Sequence, residues 1–66
     1  MSRITVNGQP RETNAADIAA LVTELEFANG TVLVELNGTA LRPAEWKERA
    51  VNDGDHVELL RLAAGG

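Results

Sequence analysis

The residues best suited to chemistry in this 66-residue chain are its last four, Ala63-Ala64-Gly65-Gly66. A glycine pair buries no side chain and loses the most backbone entropy when ordered, so packing does not call for it. What it offers is an unhindered carboxylate on Gly66 that a narrow cleft can admit. A free carboxyl is an anion at neutral pH, and carboxylates are poor electrophiles. Acyl chemistry there needs prior activation, and a mixed anhydride with the α-phosphate of ATP supplies the leaving group. Gly65 allows close backbone approach of an enzyme, Ala63 and Ala64 keep the segment narrow, and four extended residues reach at most about 13–14 Å. In such chemistry the chain is a substrate and contributes no catalytic group. The competing reading is an ordinary frayed terminus.

Little else in the chain is reactive. It has no cysteine, which excludes disulfides, a Cys/His metal site, and persulfide, thioester or redox chemistry on its own side chains. His56 stands alone, with no Ser, Cys or carboxylate arrangement that suggests a triad. Asp53-Gly54-Asp55 lacks the twelve-residue calcium-loop pattern and reads as a turn. Trp46 reads as a packing residue, and Glu24, Glu26, Glu45 and Glu48 as solvated charges that can steer a basic partner. No metal and no bound cofactor is expected. Six Lys and Arg against ten Asp and Glu give a net charge of −4, which argues against phosphate-backbone binding and so against a nucleic-acid partner. No window approaches a membrane span and the N-terminus has no apolar signal core, so a cytoplasmic protein without a membrane partner is expected.

The elements that must position the tail follow from periodicity. Arg3-Ile4-Thr5-Val6 alternates as a strand, Asn7-Gly8 suits a tight hairpin, and Gln9 to Thr13 returns, with Pro10 marking an edge. Ile18, Leu21, Val22 and Leu25 recur at i, i+3, i+4, i+7 and predict a helix with one buried face. Asn14 is the expected N-cap, with Asp17 in the first turn, and Asn29-Gly30 the expected left-handed end. Thr31 to Leu36 is a strand with Val32, Val34 and Leu36 on one face and Leu33 and Glu35 on the other. Asn37-Gly38 turns it into Thr39-Ala40-Leu41, Pro43 opens a brief helical turn carrying Trp46, and Asn52-Asp53-Gly54-Asp55 turns into a last strand, His56 to Leu62. That strand is too apolar to be a free edge. If Val57 and Leu59 face the core, Glu58, Leu60 and Leu62 face outward, and Leu60 and Leu62, with Leu33 beside them, form an expected docking patch next to the tail. The competing reading is that Leu62 covers the core's edge, single exposed leucines being common. The order β-β-α-β-β-β predicts an α+β fold, a small mixed sheet on one main helix: a globular domain over 1–62 and a flexible tail over 63–66. At this length only about 60% of the unfolded surface is buried, so one compact core must carry the stability.

Several runs together resemble the ThiS family of sulfur carriers: Leu41-Arg42-Pro43-Ala44-Glu45-Trp46, then Val51-Asn52-Asp53-Gly54-Asp55-His56-Val57-Glu58-Leu59-Leu60, then Ala64-Gly65-Gly66, with Asn37-Gly38 in register. The likeness covers Val32 to Gly66 well and the N-terminal half by pattern. One departure is local: the family often carries its basic residue after the proline, whereas Arg42 precedes Pro43, so no role is carried over to Arg42. The resemblance implies a ubiquitin-like β-grasp fold and a cytosolic, non-enzymatic protein of thiamine biosynthesis; a monomer is expected when it is alone. It further implies that a ThiF-like enzyme adenylates Gly66 with ATP, a cysteine-desulfurase relay delivers sulfur, and the thiocarboxylate passes it to thiazole synthase (ThiG-like). Two alternatives share the fold: a MoaD-like small subunit of molybdopterin synthase, and a ubiquitin-like modifier, for which Lys47 is the sole side-chain linkage site. A plain interaction module with an incidental Gly-Gly is a third.

Overall fold

The computed structural model describes residues 1–27 and 32–62. Its elements run β1 (Ser2–Val6), β2 (Gln9–Thr13), α1 (Ile18–Glu24), β3 (Val32–Leu36), β4 (Thr39–Leu41), a 3₁₀ helix (Pro43–Glu48) and β5 (His56–Arg61). The five strands form one sheet in the order β2-β1-β5-β3-β4. β1 and β5 are parallel, and every other neighbouring pair is antiparallel. The apolar β5 is therefore central, as its composition requires. This mixed sheet, covered on one face by α1, is the ubiquitin-like β-grasp.

Both hairpins turn as their Asn-Gly pairs dictate. Asn7 and Gly8 have φ of 50° and 81°, and Asn37 and Gly38 have 52° and 85°. Two successive left-handed residues make the type I′ geometry that matches strand twist, which Asn and Gly adopt most readily. Pro10 lies on β2, an edge strand, where its missing N–H costs the ladder nothing.

The ends of α1 differ from the sequence reading. The N-cap is Asp17, not Asn14: Asp17 is extended (φ −142°, ψ 174°) and its Oδ1 accepts from Ala20 N at 2.8 Å. The chain from Asn14 is held out of the helix because Thr13 Oγ1 accepts Ala15 N at 3.0 Å and Asp17 bridges to Ala50. At the other end Leu25 is the C-cap and Glu26 takes the left-handed conformation, with φ 63°. Glu26 N donates to Thr23 O and Phe27 N to Val22 O, the paired bonds of a Schellman motif, while Phe27 packs on the core. The helix therefore closes before Asn29-Gly30, a pair that lies outside the described residues.

One apolar cluster fills the space between helix and sheet. Ile4, Ile18, Leu21, Val22, Val34 and Val57 have their side chains wholly enclosed, and each such burial contributes about 1.5–3 kcal/mol. Trp46, on the 3₁₀ helix, closes one end of the cluster at 5% exposure. Pro43 sits at the first position of that helix and Glu45 Oε1 reaches back to accept Arg42 N at 2.7 Å. Backbone bonds from Ile18 N to Arg49 O and from Val51 N to Ala16 O tie the helix start to this segment.

Candidate functional site

The site is built on β3 and β5, whose register decides which side chains share the open face of the sheet. Leu33 pairs with Leu60, Val34 with Leu59 and Glu35 with Glu58. Strand alternation sends Val32, Val34, Leu36, Val57 and Leu59 into the core. Leu33 and Leu60 are left side by side on the outside, 52% and 62% exposed, and Leu62 follows just past β5 at 42%. The structure thus brings together two of the three leucines expected to form the docking patch, in direct cross-strand contact geometry. A depression in this face is lined by Asn7, Leu33, Glu35, Glu58, Leu59 and Leu60.

The sequence reading missed two features of this face. Alternation placed Glu35 and Glu58 outward, but only the register shows them directly opposite each other, with Cβ atoms about 4.5–5.5 Å apart. The second is the use made of the turn asparagines. β1 ends at Val6, so the edge of β5 facing it would leave Leu59 without backbone partners. The Asn7 side chain supplies them: its Oδ1 accepts Leu59 N at 2.7 Å and its Nδ2 donates to Leu59 O at 3.1 Å. One amide thereby acts as one further residue of β1. Asn37 does similar work at the start of β5, accepting His56 N at 2.8 Å and donating to Asp55 Oδ1 at 3.1 Å. Both asparagines fix the strand that carries Leu60.

Other residues singled out from sequence take structural places. Asp53 Oδ1 accepts Arg3 N at 2.6 Å, and Asp55 Oδ2 accepts Asn52 N at 2.8 Å, so both carboxylates hold the turn. The His56 ring is exposed, with Nδ1 2.8 Å from Thr5 Oγ1. Among the described residues there is no group of three side chains able to hold a metal ion, and no helix long and apolar enough to cross a membrane. Glu24 accepts Thr13 Oγ1 at 2.7 Å and pairs with Arg11 at 2.9 Å. The threonine hydroxyl first, then the Arg11 guanidinium, hold its carboxyl below the usual carboxylate range. The bond from Arg42 N does the same for Glu45. Arg42 itself is an exposed partner of Glu45 at 3.7 Å. Ala63, Ala64, Gly65 and Gly66 lie outside the described residues.

A ubiquitin-like sheet with an open, partly apolar face built on its last strand defines the class: a small β-grasp protein. Comparison with known proteins fixes the family. The ThiS family model matches residues 4–66. The sulfur carrier protein ThiS of Thermus thermophilus is 32% identical over 63 residues, covering 96% of this chain and 98% of that protein. The crystal structure of the thiamine biosynthesis protein ThiS from Geobacter metallireducens superposes with a TM-score of 0.80 at 35% identity, covering 97% of this chain and 99% of that one. A thiazole synthase of Paramagnetospirillum magneticum is 32% identical over 65 residues, which are 97% of this chain but only 20% of the synthase. The chain belongs to the ThiS family, the sulfur carriers of thiamine biosynthesis.

Proposed function

We propose that this chain carries sulfur as a thiocarboxylate on Gly66 for the formation of the thiazole of thiamine. The observation that carries the reading is the family match, which runs through the terminal Gly65-Gly66. A carboxylate oxygen of Gly66 attacks the α-phosphorus of ATP on a ThiF-like enzyme, releasing pyrophosphate and forming the acyl-adenylate. Sulfur at the sulfide level then attacks the carbonyl carbon, AMP departs, and –COS⁻ remains. Delivery as a cysteine persulfide from a desulfurase relay gives an acyl disulfide, which a second thiol cleaves to the same thiocarboxylate. ATP belongs to the activating partner. The residues 63–66 form the segment threaded into the enzyme, and Leu33, Leu60 and Leu62 on the 1–62 domain dock its surface.

The synthase from Paramagnetospirillum magneticum supports the choice of recipient, because a segment like this chain is part of the same polypeptide. A cytoplasmic setting would supply the ATP and thiols. Intact mass spectrometry after incubation with ATP, the cognate adenylating enzyme and a sulfur donor tests the proposal. Exchange of one carboxyl oxygen for sulfur adds about 16 Da, which alkylation of the thiocarboxylate separates from oxidation of Met1. A chain that forms neither adenylate nor thiocarboxylate sinks the reading.

A further inference from the structure

The outer face of β3 and β5 matches like with like twice: Leu33 opposite Leu60, and Glu35 opposite Glu58. Opposed leucines favour the sheet, whereas opposed glutamates weaken it. Within the described residues no cation relieves that repulsion. The ion pairs there are Arg11–Glu24 and Arg42–Glu45. Arg61, on the same strand as Glu58, pairs with the buried Val32 and so leans to the helix side, where it stacks 4.5 Å from the Phe27 ring centroid. Arg3 lies beside Gly54, beyond His56 and away from Glu58. The free domain thus holds two carboxylates and two leucines around one depression, with its charge uncompensated.

We propose that this depression receives an arginine of a partner protein, its guanidinium bridging Glu35 and Glu58 while a neighbouring aliphatic side chain of the partner covers Leu33 and Leu60. This rests on the carrier reading above and commits to one occupant, the thiazole synthase, whose Paramagnetospirillum relative holds a segment like this chain in the same polypeptide. Arginine fits better than lysine, because a planar fork with five donors can serve two carboxylates at once, whereas an ammonium is a point charge. The occupant is not a second copy of this chain. A self-complementary contact over the face would bring four carboxylates together with nothing to neutralise them. The apolar contact supplies the burial and the acidic pair supplies register and steering.

The test uses the full chain as wild type, as E35Q/E58Q and as L60A, titrated by calorimetry into the adenylating enzyme and the thiazole synthase of the same organism at low and high NaCl. The wild type is expected to bind the thiazole synthase with an affinity that falls as salt rises. E35Q/E58Q is expected to bind it about tenfold or more weakly at low salt, with most of the salt dependence gone. Free E35Q/E58Q is expected to denature at a higher urea concentration than the wild type, so weakened binding cannot be blamed on unfolding. Binding of E35Q/E58Q to the synthase as tight as the wild type, with or without a loss at the adenylating enzyme, overturns the acidic-pair proposal while the carrier reading survives. Wild-type binding to neither enzyme overturns the carrier reading and this inference with it. A wild-type dimer in sedimentation velocity that E35Q/E58Q tightens assigns the face to a second copy and overturns the proposal too.

Discussion

Replacing Asn7 by glycine isolates the side-chain clamp on Leu59. Glycine keeps the left-handed φ of 50° that position 7 requires, so the turn survives and only the amide is lost. Two part-buried hydrogen bonds disappear, from Leu59 N at 2.7 Å and to Leu59 O at 3.1 Å. At about 1 kcal/mol net for each, N7G is expected to cost about 2 kcal/mol, a large share of what so small a domain has. N7D leaves an acceptor for Leu59 N but cannot donate to Leu59 O, and sets a carboxylate against that carbonyl; it is expected to lose at least about 1 kcal/mol. N37G removes bonds that are solvent-exposed, so its loss is expected to be smaller, about 1 kcal/mol or less. Urea unfolding followed by the fluorescence of Trp46, the sole and buried tryptophan, gives each value. Hydrogen exchange at the Leu59 amide reports the clamp directly and is expected to quicken in N7G. A loss below about 0.5 kcal/mol in N7G, or one no greater than in N37G, refutes the claim that Asn7 extends β1.

Three further outcomes follow from the same geometry. E26G places glycine where Glu26 is held at φ 63°, and should raise stability by about 0.5–1 kcal/mol in the same unfolding assay. Glu24 has its carboxyl held low in the folded state, so its stabilisation is present above the ordinary carboxylate range and is lost as pH falls through the lowered value; E24Q should therefore flatten the acid limb of the stability–pH curve. One alanine appended after Gly66 should leave urea unfolding unchanged within error and abolish thiocarboxylate formation seen by mass spectrometry, because the added methyl and the displaced carboxylate matter only inside an enzyme cleft.

Local pattern alone determined much of this protein. Alternation along Val32–Leu36 and His56–Arg61 sorted core from surface residues correctly, because a pleated strand has a strict period of two. The Asn-Gly pairs fixed both hairpins, and the apolar spacing fixed the helix. The C-terminal glycines, read with the motifs before them, pointed to the family and to the carbonyl on which the proposed chemistry rests. Tertiary structure decided the rest. Thr13 and Ala50 lie far from each other in sequence, yet they set where α1 begins, and so the cap passed from Asn14 to Asp17. Glu26 became the left-handed residue because the Schellman bonds and the packing of Phe27 outweigh its conformational preference. Asn7 clamps Leu59, 52 positions away, and Glu35 faces Glu58 only through the register of β3 against β5. Such pairings depend on how strands lie beside one another, which local periodicity does not encode. The sequence offers the terminal carboxylate on which the proposed chemistry rests, and the sheet register sets which side chains share the open face.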